Sequence, residues 1–295
     1  MKPAPFTYHR AETLDMATEM LATLGGSGGD VRVLAGGQSL MPMMNLRYVA
    51  VDHVVDLNPV AELAGMSFDG ERLRLGAMTR QRDLLEHAEV RRRLPIIAEA
   101  LENVGHLQTR NRGTIGGSLA HMDPAAELMG LAALLDATVS MASRRGQRDV
   151  AIADYPLAYM TPCLEPDEVL TGITIDTWPA GHGWDFREFA QRHGDFAVAG
   201  VGSLLTLDAT GRIDRAAIVL IGVDERPIRL TAAEGMLVGE KPGDDVFGAA
   251  GAAARALPML ADALVGEAYR QHLAGVLVAR SLDSASARAG GGGDV

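Results

Sequence analysis

The spacing of apolar residues changes repeatedly along the chain, and each change marks a predicted element. Leu14, Ala17, Met20, Leu21 and Leu24 recur at helical spacing within residues 11–24. The run GGSGGD ends that helix, and VRVLAG follows as a short strand. VDHVVDL, with Val54 and Val55 adjacent, reads as a second strand. Together these predict a small α/β unit reaching about Asn58. Next, MSFDGERLRLGAM alternates around Asp69-Gly70, a dipeptide suited to a two-residue hairpin turn. Thr79 is placed to cap a helix running to His87. Pro95 suits a first helical turn; Ile96, Ile97, Ala100, Leu101 and Val104 continue that helix until Gly105. A further helix is expected from Pro124 to Leu135, capped by Asp123, followed by the strands ATVSMAS and EVLTGITI.

The stretch DTWPAGHGWD reads as a boundary, because proline and glycines surround its tryptophans directly after a strand. Beyond it come three strands, FREFAQR, VGSLLTLD and AAIVLIGV, then alanine-rich helices from about Val246 to Leu257 and Glu267 to Arg280. Strands followed by helices predict a separate α+β domain.

Composition narrows the function classes. With 295 residues, 47% hydrophobic and 22% charged, the chain can form two or three compact units. A net charge of −11 leaves no basic excess for nucleic-acid phosphates. No apolar run approaches the roughly 18 residues of a membrane span. MKPAPFTYHR lacks the apolar core of a signal peptide, and SASARAGGGGDV reads as a disordered tail. The single cysteine, Cys163, excludes an intramolecular disulfide and a cysteine-held cluster, and is compatible with the cytosol. The two lysines, Lys2 and Lys241, lie in no apolar setting that would activate them for covalent chemistry. The eight histidines show no metal-ligand spacing. No metal site is expected, and no catalytic residue is nominated.

Two glycine-serine loops carry the candidate chemistry. GGQS, Gly36 to Ser39, follows a predicted strand; GGSL, Gly116 to Leu119, precedes a helix. Each alone reads more readily as a plain turn than as a ligand loop. As a pair, glycine amides with neighbouring hydroxyls could hold a pyrophosphate. Neither loop sits in a Rossmann or P-loop pattern. His121, Asp123, Arg110 and Arg112 lie beside the second loop, and Glu127 is one helical turn beyond Asp123. Phe196, after a Gly-Asp turn, suits the core or a stacking platform. Met41, Met43 and Met44 read as core filler, and Arg91 to Arg93 as surface. GGSGG fits the serine-hydrolase pattern around Ser27, but helix precedes and strand follows, the reverse of a nucleophile elbow.

AGGQSLMPMMNLR, RNRGTIGGSLAHMDPAAEL and FREFAQRHGDFAVAG together resemble the FAD-binding medium subunit of the molybdenum hydroxylases, in order and over essentially the whole chain. That resemblance implies an α+β protein: a two-subdomain FAD-binding domain (1–58 and 59–177), a smaller C-terminal α+β domain (178–285) and a disordered tail (286–295). It implies that the pyrophosphate lies against Ala35, Gly36, Gly37, Gln38 and Ser39, flanked by Val33, Leu34 and Leu40, and against Thr114, Gly116, Gly117 and Ser118. Gly113, Ala120, Asp123 and Glu127 match positions along the adenosine and ribityl parts. Val104, Leu170 and Arg187 match further contacts, and Phe196 a position near the isoalloxazine where many relatives carry tyrosine. Gln38 stands where relatives often have histidine.

The implied role is electron transfer: from molybdopterin in a large subunit, through [2Fe–2S] clusters in a small one, to FAD here and on to a terminal acceptor. The expected assembly is a cytoplasmic dimer of heterotrimers. A stand-alone FAD-dependent oxidoreductase acting on a small substrate is the alternative.

Overall fold

The computed structural model describes residues 2–289 and is built on three principal sheets. The first unit contains β1 (Thr7–Arg10), α1 (Leu14–Gly26), β2 (Val31–Leu34), α2 (Leu40–Asn45) and β3 (His53–Asp56). Its strands run parallel in the order β1-β3-β2. The periodicity of α1 places Ala17 and Leu21 in a core with Val55, while Thr13 caps the helix by accepting the amide of Met16. Strand β1 was not predicted: TYHR has no apolar alternation, and it is a strand because its backbone pairs with β3.

The second unit comprises β4 (Met66–Asp69), β5 (Arg72–Gly76), α3 (Gln81–Glu86), α4 (Ala88–Arg93), α5 (Pro95–Asn103), α6 (Leu107–Arg112), α7 (Ile115–His121), α8 (Glu127–Leu134), β6 (Thr138–Ser143), β7 (Gly146–Ala151), β8 (Pro156–Ala158), β9 (Thr161–Pro162) and β10 (Val169–Asp176). Its sheet is antiparallel, ordered β4-β5-β10-β6-β7, with the expected hairpin at Asp69-Gly70. Thr79 does not cap α3. Its hydroxyl donates to the Gly65 carbonyl at 2.7 Å, and Arg80 occupies the N-cap position. Asp123 likewise caps a turn, accepting the Ala125 amide at 2.9 Å, so α8 begins only at Glu127. Of the Arg91–Arg93 run, Arg93 is not a free surface charge: its guanidinium lies 4.4 Å from the Phe68 ring and donates to Glu71.

The third unit holds β11 (Gly183–Phe189), β12 (Ala199–Leu207), β13 (Ile213–Ile221), β14 (Ile228–Arg229), α9 (Thr231–Leu237), α10 (Asp244–Arg255) and α11 (Glu267–Arg288). These four strands form an antiparallel sheet in chain order. Helices cover both faces, which explains why β12 is buried along nearly its whole length rather than on alternate positions. One face (Phe186, Leu204, Val219, Ile221) shares a core with α5 and α8; the other (Val201, Leu205, Ile218, Leu220) packs on α10 and α11. Helix α8 is apolar on nearly every side because it lies between two sheets; Gly130 lets it approach Ile221, where a Cβ would collide. The expected disordered tail is shorter than proposed. Helix α11 continues through 286–288, held by Ala285 against Gly183, while 290–295 fall outside the described residues.

The two tryptophans of the chain bracket the connection into the third sheet. His182 lies between Trp178 and Trp184, ring centroids 6.2 and 6.1 Å away, and Arg215 stacks over Trp178 at 3.9 Å. His182 Nδ1–H donates to the Pro179 carbonyl at 2.9 Å, leaving Nε2 buried without a partner. Burial lowers the His182 pKa below its ordinary value, with Arg215 acting in the same sense. A lowered histidine pKa contributes stability above the unfolded value that is lost as pH falls through the folded one. Tryptophan fluorescence and the thermal midpoint should both drop on acidification below about pH 6.5, the ordinary histidine value. In His182→Gln that step should be missing.

Candidate FAD-binding crevice

Parallel strands present their ligand loops at their carboxyl ends. In the first sheet that end carries Ala35–Ser39, directly after β2. There the two glycine loops, nearly eighty positions apart in sequence, come together. A Cβ on Gly36 would strike the Arg112 carbonyl and stand 2.8 Å from the Gly113 Cα; one on Gly117 would stand 3.4 Å from the Ala35 Cβ. At Gly36 backbone approaches backbone, and only glycine permits it; at Gly117 the contact is ordinary packing on the Ala35 side chain.

A polar bridge fixes the approach. The Asn58 side-chain amide donates to the Ala35 carbonyl at 2.9 Å, and its oxygen accepts from Arg80 at 2.6 Å. Arg80 also donates to the Arg112 carbonyl, so one guanidinium ties the end of β3 to the second loop. Asn58 is itself oriented by Asp56, which accepts the Asn58 backbone amide at 2.9 Å and the Tyr8 hydroxyl at 2.6 Å. The sequence reading missed Asn58 and Arg80. The one local signal was a polar Asn-Pro pair closing an apolar strand, and Arg80 gave none.

The two loops differ in what they offer. Gly36, Gly37, Gln38 and Ser39 donate no backbone hydrogen bond among the described residues, and Gly37 has φ +73. These amides form an anion cradle. The second loop is already satisfied: Gly116 donates to the Ala77 carbonyl, Gly117 to the Thr114 hydroxyl and Ser118 to the Thr114 carbonyl. The expectation that both glycine pairs expose their amides is therefore corrected. Gly116 and Gly117 lie inside α7, and their missing side chains allow packing on Ala77 and Ala35. The hydroxyls of Ser39 and Ser118 make no hydrogen bond among the described residues, and both side chains are half-buried. Free amides, free hydroxyls and a glycine-lined approach fit a diphosphate.

Other nominated residues fall in several places. Ala120, Asp123 and Glu127 continue from the second loop along α7 into α8. Val33, Leu34, Leu40 and Leu170 spend their side chains in apolar cores and offer only backbone. Val104 packs on the main core, its carbonyl accepting from Arg110 at 2.8 Å. Arg187 is not brought to the loops. It projects from the α11 side of β11, paired with Asp185 at 2.6 Å and Ser284 at 2.7 Å. Phe196 is 58% exposed, which removes the core reading and leaves its ring free to stack. Its loop touches the second unit, since a Cβ on Gly194 would stand 2.9 Å from the Gly105 carbonyl.

A groove of about 590 Å³ opens at the opposite, amino-terminal ends of the parallel strands, lined by Phe6, Ser27, Asp52 and His53. Ser27 there ends α1, its hydroxyl donating to the Leu24 carbonyl at 2.8 Å, and His53 Nδ1 pairs with His9 Nε2 at 3.1 Å. Serine and histidine each already have a partner, so no nucleophile–base pair is formed.

Residues 4–178 match the family described as the FAD binding domain in molybdopterin dehydrogenase, and 184–285 the CO dehydrogenase flavoprotein C-terminal domain. The chain belongs to this flavoprotein family. It is 36% identical over 290 residues to the 6-hydroxypseudooxynicotine dehydrogenase complex subunit alpha of Paenarthrobacter nicotinovorans, covering 98% of this chain and 97% of that protein. Identity to the carbon monoxide dehydrogenase medium chain of Hydrogenophaga pseudoflava is 34%, covering 98% and 99%. Among solved structures, carbon monoxide dehydrogenase from Hydrogenophaga pseudoflava superposes with a TM-score of 0.93 at 35% identity, covering 98% of this chain and 100% of that one. Quinoline 2-oxidoreductase from Pseudomonas putida 86 gives 0.92 at 34%, covering 97% and 99%. The flavoprotein is thus an oxidoreductase subunit that binds FAD, with the two-domain α+β fold of the medium subunits. No helix among the described residues is long and apolar enough to cross a membrane.

Two acids stand out by their burial, Glu127 on α8 and Glu188 on β11. Glu127 is 5% exposed, and burial, then the charges of Glu188 and Asp123, push its carboxyl up to about 8. Burial pushes Glu188 up to about 7. A raised carboxyl pKa gives stability that is complete below the unfolded value of 4.5 and lost as pH climbs to the folded one. Between these limits the folding stability should fall with rising pH, by an amount on the order of a few kcal/mol in the native chain, and the thermal midpoint with it. Glu127→Gln should flatten the fall in a calorimetric series. For the loop bridge, Arg80→Met should weaken FAD binding about tenfold, the equivalent of one hydrogen bond to a charged group. Flavin fluorescence titration would read this, with circular dichroism reporting whether the fold is retained.

Proposed function

We propose that this chain is the FAD-carrying electron-transfer subunit of a molybdenum hydroxylase. Its partners are a large molybdopterin subunit and a small subunit with [2Fe–2S] clusters, assembled as a dimer of heterotrimers in the cytoplasm. The observation that carries the reading is the contact of the two glycine loops, tied by Asn58 and Arg80 and leaving the amides of Gly36–Ser39 free.

Bound FAD would supply the redox chemistry, taking electrons from a partner's clusters and delivering them to a terminal acceptor. This chain's residues bind and orient it. The free amides of the first loop and the hydroxyls of Ser39 and Ser118 hold the diphosphate. Thr114 is 2% exposed and spends its hydroxyl on the Gly117 amide, so it shapes the loop and its side chain holds no phosphate. Asp123, Ala120 and Glu127 line the sugar portion, and Asp123 keeps one oxygen free after accepting the Ala125 amide. Phe196 offers a face for the flavin ring. Gly113 packs against Gln81, which gives it a shaping role beside the second loop.

A single cysteine leaves the chain without thiolate ligands for a cluster of its own, in keeping with clusters carried by a partner subunit. Relatives described as a medium chain or a complex subunit favour this assignment over a stand-alone oxidoreductase.

The test is expression of the full chain with and without the two neighbouring subunits. Stoichiometric FAD in the purified chain, and reduction of that FAD by substrate only when all three subunits are present, are expected. Turnover of a substrate by the isolated chain would overturn the subunit reading. Gly36→Val, which forces a side chain between the loops, should lose bound FAD altogether.

A further inference from the structure

The position of Phe196 is set by a junction of chain segments with a buried cation at its centre. Arg270, on the first turn of α11, is 9% exposed. Its guanidinium donates to the Val198 carbonyl at 3.2 Å, to the Gly222 carbonyl and to Asp262. Val198 lies two residues after Phe196, and Ala197 between them is buried in the main core. Gly222, with φ +74, directly follows β13; a Cβ there would stand 2.5 Å from the Ala197 carbonyl. The Gly222 amide donates to the Pro124 carbonyl at 3.1 Å, and Pro124 directly follows Asp123 in the crevice turn. One arginine thus joins the segment that carries Phe196 to the segment bonded to that turn.

The other end of the Phe196 loop is held as well. Gly194 packs on the Gly105 carbonyl, which accepts from Arg110 at 3.2 Å. Arg110 lies on α6, and the last residue of that helix, Arg112, sets its carbonyl against Gly36 of the first glycine loop. Phe196 therefore stands on an arch with two anchored feet. One foot leads to the first glycine loop and the other to the turn after α7. Between them the ring is left exposed.

Burying a guanidinium here is costly. Its one carboxylate, Asp262, has a side chain 51% exposed, and Arg270 Nε is buried without a hydrogen bond. An apolar side chain would pack α11 without that penalty. What an apolar side chain cannot do is bond two carbonyls from separate segments and so fix one against the other, which the planar fork of arginine does. We propose that Arg270 is a positioning residue for the flavin: by joining Val198 to Gly222 it sets the Phe196 ring relative to the Asp123 turn, so that the ring meets the isoalloxazine as a preformed face. This rests on the FAD reading made above, and Arg270 acts through Phe196.

The experiment is a double-mutant cycle on the full-length chain, read by fluorescence titration with FAD and by visible circular dichroism of the bound flavin. Arg270→Met should weaken FAD binding about tenfold, the scale of one hydrogen bond to a charged group, and should change the flavin dichroism in the same sense as Phe196→Ala. In the Phe196→Ala background the same change should alter affinity by no more than about twofold, because the face it positions is gone. Hydrogen exchange of the FAD-free chain supplies an independent readout: the Val198 and Gly222 amides should exchange faster in Arg270→Met while those of α7 do not. Should Arg270→Met fail to fold, Asp262→Asn carries the same cycle with a smaller fall. It removes the ionic partner of the guanidinium and keeps an oxygen for the Leu264 and Val265 amides. Native affinity in the folded arginine variant, an equal loss in both backgrounds, or native affinity and dichroism in Phe196→Ala would overturn the inference. Absence of FAD binding by the native chain would instead overturn the functional reading.

Discussion

Backbone meeting backbone, without a Cβ between, is the constraint on which the site depends. Gly36 sits against the Arg112 carbonyl and the Gly113 Cα. This contact joins a parallel sheet to a helix of a different sheet and forms the floor of the crevice. It also explains the polar bridge. Two loops held only by van der Waals contact could slide, whereas Asn58 and Arg80 fix their register with hydrogen bonds, those from the Arg80 guanidinium being charge-assisted.

The two loops then divide the work. The first keeps its amides free because Gly37 turns the chain with positive φ before α2 begins. The second places its glycines inside α7, where the helix and Thr114 consume their amides. Similar sequences therefore act differently: one as an anion cradle, the other as a close-packing surface that carries Ser118 to the crevice. The third sheet closes the arrangement through α8, an apolar helix whose one charged residue, Glu127, is buried.

Much of the architecture was legible from pattern. The helix at 14–26 follows from its apolar spacing, and the hairpin at Asp69-Gly70 from turn chemistry. The β12–β13 pair follows from two apolar runs around a turn. Local rules failed where a distant partner decides the outcome. Strand β1 exists only because β3 lies beside it. Thr79 and Asp123 bond to neighbouring turns instead of capping the helices that follow. The chain end was read from small residues alone, but Ala285 reaches Gly183 and extends the helix through Arg288.

By itself, the sequence determined the family signature, the glycine pairs and the lack of cysteine ligands, because these are properties of residue type and spacing. Only the tertiary structure decided that Arg187 turns away toward α11, that Arg80 bridges the loops, and that Glu127 is buried. Those facts depend on which face of a strand or helix meets another element, and on how deeply it is buried. Side-chain direction across a seam between domains is fixed by packing at long range, where no local pattern of residues records it.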